Sequence, residues 1–248
     1  ERIQINNTPL SDIVFCKYLG EFLDLISNLV IKPSYFEILI AFVYWVFAKE
    51  QVDSAVIETG MGGLLDSTNV AGKIDKVCVI TDIGFDHMHV LGNTISQIAY
   101  QKAGIIHEEN NVFMYEQSHD VMDQINKVID EKHASLNIVP VLDLHQRDFN
   151  NIAVPLFQKK NWNLSKQVCE FIGTRDNFEL NNPAEALKIV VPGRMDTIIL
   201  EDESVLIMDG SHNGQKISTF VDSFRDKYPN QKATILLALK SGKEYIEV

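Results

Sequence analysis

Two short apolar runs, each breaking off into carboxylate, glycine and imidazole chemistry, constrain this chain more than any other feature. They are Val56-Ile57-Glu58-Thr59-Gly60-Met61-Gly62-Gly63 and Val77-Cys78-Val79-Ile80-Thr81-Asp82-Ile83-Gly84-Phe85-Asp86-His87. Such runs read as strands of a parallel sheet, and open α/β folds gather ligands at the carboxyl ends of those strands. A strand from Ser54 to Glu58 would present the Glu58 carboxylate there, followed by a turn that Gly60, Gly62 and Gly63 make possible. The second run ends at His87, whose imidazole can ligate a metal or bond phosphate, with Asp86 placed to orient it. Alone, a glycine cluster is a plain turn and a His beside an Asp is a structural pair. Two such ends on neighbouring strands point to an active-site edge.

A third segment, Thr94 to Gly104, carries Ile95, Ile98 and Ala99 at helical spacing, with Lys102 next on the same face where an apolar residue is expected. An ammonium there either snorkels near the helix end or has a chemical task.

The pattern predicts helices from Asp12 to Leu29 and Ser34 to Lys49, strands at Ser54 to Glu58 and Lys76 to Thr81, a helix over 94–103, and a strand at Val112 to Tyr115. An amphipathic helix around Val121 to Ile129 follows, then a polar, turn-rich stretch at 135–156 with room for irregular strands, and a helix from Asn163 to Ile172. Beyond Pro192 come a hairpin (Thr197 to Leu200 with Ser204 to Met208), a helix from about Asn213 to Lys227 and a strand Thr234 to Ala238. The domains expected are 1–191 and 192–248. The apolar run Tyr35 to Ala48 contains Glu37 and is too short to span a bilayer, so it reads as a buried helix.

With 22 basic and 34 acidic residues, the net charge of -12 argues against a broad nucleic-acid footprint. Cys16, Cys78 and Cys169 lack metal-ligand spacing and suit a reduced, cytoplasmic protein.

Glu58 to Asn69, Ile80 to His87 and Gln101-Lys102-Ala103-Gly104-Ile105-Ile106 together resemble the folylpolyglutamate synthase and dihydrofolate synthase family, within the Mur ligase superfamily. The likeness continues through Phe157-Gln158-Lys159-Lys160-Asn161, Val191-Pro192-Gly193-Arg194 and Asp209-Gly210-Ser211-His212-Asn213, in the family's order. It implies an α/β fold: a P-loop-NTPase-like Mur ligase central domain, then part of a Rossmann-like C-terminal domain. The family's opening phosphate cradle, of the GTNGKGS kind, has no counterpart here. The start at Glu1 looks like a point downstream of that loop, and Leu239-Lys240-Ser241-Gly242-Lys243 looks like the middle of the C-terminal domain, so an incomplete chain is expected.

By that resemblance, Glu58 and His87 are ligands of Mg²⁺, and Lys102 is the lysine that family members carbamylate, which makes it a further metal ligand. Asn161, Arg194, Asp209 and His212 match ATP-contacting positions, with Lys102, His212 and Arg194 taken as catalytic. Ser34, Tyr35, Phe36, Glu37, Leu65, Asp66 and Ser67 fall where the family lines its pteroate or folate pocket, while Leu64 stands where many members have Arg. The activity implied is ATP-dependent addition of L-glutamate to a folate or dihydropteroate carboxylate through an acyl phosphate, by a monomer without nucleic-acid or membrane partners. Two rivals are a Mur-type enzyme acting on a cell-wall precursor and a noncatalytic binding protein.

Overall fold

The computed structural model describes residues 2–141, 154–189 and 191–238. It divides into two compact units, 1–72 and 73–248, so the expected boundary near Pro192 falls inside the second. No helix among the described residues is long and apolar enough to cross a membrane.

The first unit opens with an antiparallel hairpin, β1 (Gln4–Ile5) and β2 (Thr8–Pro9), turned at Asn6 and Asn7 with φ of 51° and 60°. Asparagine tolerates that left-handed backbone, as a tight hairpin demands. Helix α1 (Asp12–Ile26) starts at a Ser11 cap, and α2 (Tyr35–Lys49) starts at a Ser34–Glu37 capping box. Phe22, Phe42 and Val46 are buried with Ile3, and Phe15 meets Phe42 edge-on at 5.6 Å. Of α2, expected to be a buried helix, only Phe42 and Val46 are fully buried, and Tyr35 is 81% exposed.

The expected strand from Ser54 to Glu58 does not form. Residues 54–59 have no ladder partner among the described residues, and Val56 is 98% exposed. Three apolar residues supply strand propensity, but propensity makes a strand only with a neighbour to accept its hydrogen bonds.

The second unit is built on a parallel sheet in the order β3 (Val77–Ile80), β4 (Asn111–Tyr115), β5 (Ser135–Val139), with Cys78 beside Val112 and Met114 beside Ile138. Helices α3 (Met88–Leu91) and α4 (Ile95–Ala103) connect β3 to β4, and α5 (His119–Glu131) connects β4 to β5. One sheet face, with Cys78, Ile80, Val112 and Met114, packs against Ile98, Ala99 and Ala103 of α4 and Val121, Ile125 and Val128 of α5. The other face, with Phe113 and Tyr115, packs against Leu164 and Val168 of α6 (Leu156–Asp176). Burial on both faces explains why β4 reads as a near-continuous apolar run.

Helix α6 is longer than the Asn163 to Ile172 expected, and β5 occupies the start of the stretch read as turn-rich; 142–153 of that stretch lie outside the described residues, as does the Leu239 to Lys243 motif. The expected hairpin is present as β6 (Asp196–Ile199) and β7 (Val205–Met208), followed by α7 (Gly214–Lys227). The strand expected at Thr234 to Ala238 has no ladder, and Leu236 is 98% exposed, for the same want of a neighbour among the described residues.

Candidate active site

The carboxyl end of β3 carries the second unit's chemistry. Beyond Ile80 the chain runs out as Thr81 to His87, and the Gln117 side chain at the end of the neighbouring strand clamps it. Gln117 Oε1 accepts from Ile83 N–H at 2.7 Å and Nε2 donates to the Thr81 carbonyl at 3.2 Å. Lys160 of α6 reaches both oxygens of Asp82, at 2.7 and 2.8 Å, and lies 5.0 Å from the Tyr115 ring centroid. Gly84 lets α7 approach, because a Cβ there would fall 2.0 Å from Gln215 Oε1.

That approach brings Asp86 against the start of α7. Asp86 Oδ2 accepts from Asn213 Nδ2 at 3.1 Å and from Lys216 Nζ at 3.2 Å, with His212 Nε2 at 3.8 Å. Asp86 Oδ1 accepts from the His87 N–H at 3.0 Å and stands 3.8 Å from His87 Nε2. His87 itself is in the left-handed region (φ 50°, ψ 36°), an uncommon backbone for a non-glycine residue and one that clusters at functional sites. His212 Nδ1 sits 3.0 Å from the Gly210 carbonyl oxygen. A carbonyl only accepts, so Nδ1 carries the proton and Nε2 offers its lone pair to Lys216 Nζ, 3.2 Å away.

Lys102 faces this cluster from the last turn of α4. Burial pushes its pKa down; the Asp86 charge pulls it back up, and Lys216 adds to the lowering. His87 and His212, singled out separately in the sequence, thus meet at one carboxylate, and Lys102 lies within reach of its charge. Asp86 is its centre, and Lys216 and Asn213 are the members that sequence reasoning did not assign. The signal that could have found Lys216 is Asn213 as a helix cap, which places Lys216 in the first turn of α7, next to the 209–213 loop.

Arg194 and Asp209 are joined beside it. Asp209 accepts from the N–H groups of Met195 and Ser211, each at 2.7 Å, and Gly210 N–H donates to Gly193 O at 2.9 Å. These bonds seat the Arg194 turn on the 209–213 loop, where a Cβ on Gly210 would lie 2.8 Å from Arg194 Nη1. Asn161 is exposed on α6, one residue beyond Lys160.

The remaining candidates lie in the first unit. Ser34 and Glu37 are spent on the capping box of α2, with Ser34 N–H donating to Glu37 Oε2 at 2.6 Å. Tyr35 is 81% exposed and Leu65 88%. Phe36 and Asp66 do come together, at Gly60: a Cβ there would fall 2.5 Å from Phe36 Cζ and 3.1 Å from Asp66 Oδ2. Asp66 caps the 3-10 turn Ser67–Val70, accepting from Thr68 N–H at 3.0 Å, and also takes Met61 N–H at 2.7 Å. Glu58 is exposed.

Among the described residues, no group of three or more His, Cys, Asp or Glu side chains is placed to hold a metal ion by itself. A carboxylate such as Glu58 is a ligand for a hard cation. Mg²⁺ is held by one or two protein ligands, with phosphate oxygens and water completing the shell.

No family model matches the chain. It is 34% identical over 264 residues to a Schizosaccharomyces pombe protein named "Probable folylpolyglutamate synthase", covering 98% of this chain and 51% of that one. It is 29% identical over 278 residues to a dihydrofolate synthase/folylpolyglutamate synthase of Bacillus subtilis, covering 99% and 63%. A solved mutant of the L. casei folylpolyglutamate synthase matches with a TM-score of 0.77 at 26% identity, over 93% of this chain and 62% of that chain. A folylpolyglutamate synthase–AMPPCP–folate complex matches with the same TM-score, identity and coverage. The chain spans 51% and 63% of the length of those two curated relatives. The likeness to the folylpolyglutamate synthase and dihydrofolate synthase family extends along nearly the whole chain, in sequence and in α/β fold.

Proposed function

We propose that the protein is an ATP-dependent carboxylate–amine ligase that joins L-glutamate to a folate or dihydropteroate. The observation that carries this reading is the gathering of Lys102, His212 and Lys216 around Asp86 at the carboxyl end of β3, beside the turn that bears Arg194. Cations and neutral donors converging on one strand end suit a transferring phosphoryl group. The names of the relatives, and a matched structure holding AMPPCP and folate, support the choice of nucleotide and pterin.

In this reading a substrate carboxylate oxygen attacks the γ-phosphorus of ATP and ADP leaves. The glutamate amine then attacks the acyl carbon, loses a proton, and phosphate departs as the amide forms. Arg194 and His212 meet the phosphates, with Asn161 and Asp209 contacting the nucleotide. Phe36 offers a face for the pterin, with Ser34, Tyr35, Glu37, Leu65, Asp66 and Ser67 around it. Glu58 and His87 would hold Mg²⁺, joined by Lys102 as a carbamate, and the ion would supply charge neutralisation to the phosphates. The residues themselves act by positioning and by fixed charge. The domain boundary near Pro192, a monomeric state and a cytoplasmic location belong to the same proposal; the net charge of -12 and three free thiols support the absence of nucleic acid and a reduced compartment.

The test is ADP release and amide formation by the full-length protein with ATP, L-glutamate and dihydropteroate or tetrahydrofolate. Mg²⁺ is titrated for the wild type, Glu58→Gln and His87→Ala. Product with the wild type and a collapse in both variants supports the reading; no ligation of either pterin sinks it.

A further inference from the structure

We infer that Lys216 is a phosphate-binding residue of this site: its ammonium, pinned between Asp86 and His212 in the first turn of α7, takes an oxygen of the nucleotide's terminal phosphoryl group. This rests on the ligase reading above and adds to it a residue with a defined task.

A lysine ammonium has three N–H donors and no acceptor. One donor of Lys216 goes to Asp86 Oδ2 at 3.2 Å, and a second goes to the lone pair of His212 Nε2 at 3.2 Å. The second bond is available only because the Gly210 carbonyl fixes the His212 proton on Nδ1. The third donor has no partner among the described residues, on a side chain 41% exposed. Two anchors hold a group that otherwise swings on a four-carbon stem, so the remaining N–H is aimed before a ligand arrives. Pre-orientation of that kind lowers the ordering cost of binding.

The neighbouring groups suit the same ligand. Lys102, within the field of Asp86, is an ammonium in the unmodified chain and an anion once carbamylated, whereas Lys216 stays cationic beside Asp86 in both states. The Arg194 guanidinium lies against Gly210 of the 209–213 loop, which leads into α7. A multiply charged tetrahedral anion suits cationic donors presented by one loop and the helix that follows it.

The experiment compares ATP and ADP binding by calorimetry in full-length wild type, Lys216→Met, Lys216→Gln and Lys216→Arg, with circular dichroism alongside. A terminal phosphoryl contact requires Lys216→Met to lower ATP affinity about tenfold relative to ADP affinity, since a hydrogen bond to a charged group is lost only with ATP. Lys216→Arg should recover part of the ratio. Lys216→Gln, which keeps a donor for Asp86 without the charge, supplies the same reading if the Met variant is misfolded. An unchanged ATP-to-ADP ratio in a folded Met or Gln variant, with the wild type binding ATP, overturns the inference and leaves a structural tether. A wild type that binds neither nucleotide overturns the ligase reading itself.

Discussion

Asn213 splits its side-chain amide between two tasks: Oδ1 accepts from the Lys216 N–H at 2.9 Å and caps α7, while Nδ2 donates to Asp86 Oδ2 at 3.1 Å. One residue therefore sets both where the helix begins and where the central carboxylate points. Asn213→Ala should lose both, costing about 1 kcal/mol of stability for the cap. Asn213→Asp keeps a capping oxygen but turns a donor to Asp86 into a second carboxylate. It should hold wild-type helicity, lower the unfolding midpoint through repulsion between the two carboxylates, and reduce turnover on the order of tenfold. Equal turnover in Asn213→Asp and wild type would show that the bond to Asp86 has no bearing on the reaction.

Lys102 distinguishes a buried ammonium from a carbamate. Its environment already disfavours the charged form through burial, with Lys216 adding to the effect, and a neutral amine is the form that reacts with CO₂. Lys102→Ala should abolish ligation, and added acetate or formate should restore part of it by filling the vacated anionic position. A snorkelling lysine has no reason to respond to short carboxylates. Activity that survives the substitution, or that stays lost at every carboxylate concentration, counts against the carbamate.

Asn110 is a structural prediction from the same unit. It is fully buried; Nδ2 donates to the carbonyls of Lys73 at 2.8 Å, Glu108 at 3.2 Å and Ile74 at 3.3 Å, and Oδ1 accepts from His107 N–H at 2.9 Å. Removing the amide takes away a partner from four part-buried backbone groups. Asn110→Ala should therefore cost about 1–3 kcal/mol, read as a lower urea midpoint at constant slope. The thiol next to it follows the same logic. Burial pushes the Cys78 pKa up to about 11, so native-state thiol labelling should modify Cys16 and leave Cys78 until the protein unfolds.

The parts of this fold legible in sequence were those whose signal is local. The strand Val77–Ile80 and the helix Ile95–Ala103 announce themselves by periodicity and by Thr94 with Gln97, which form a full capping box. His87 stood out as an imidazole closing an apolar run, and Lys102 as a polar residue where the period calls for an apolar one. The cluster that unites them did not stand out, because Asp86 and Lys216 are 130 residues apart and meet only through the packing of α7 on the 82–87 loop. Strand pairing is non-local in the same way, which is why Ser54 to Glu58 and Thr234 to Ala238 had the composition of strands and no ladder among the described residues. Asp66 and Asp209, read as ligand groups, each also hold a loop together through backbone N–H bonds, a task that depends on how the loop folds.

Asp66 gives the first unit a pH signature. Burial alone would raise its pKa, but bonds from the Thr68 hydroxyl and from the N–H groups of Met61, Thr68 and Gly60 more than offset this, and the net shift is downward. A carboxylate whose pKa is lower in the folded state than in the unfolded one binds fewer protons when folded. Its contribution to stability is full above the ordinary carboxylate value and drains away as pH falls through the folded value. Asp66→Asn should thus be less stable than wild type at neutral pH, and the two should converge as the pH drops below the carboxylate range. Trp45, packed on Phe42 and Phe22 in this unit, reports the transition by fluorescence once Trp162 is replaced by Phe. A constant gap between the two proteins from neutrality to about pH 2 would mean that Asp66 stabilises the Gly60 to Val70 loop without its charge.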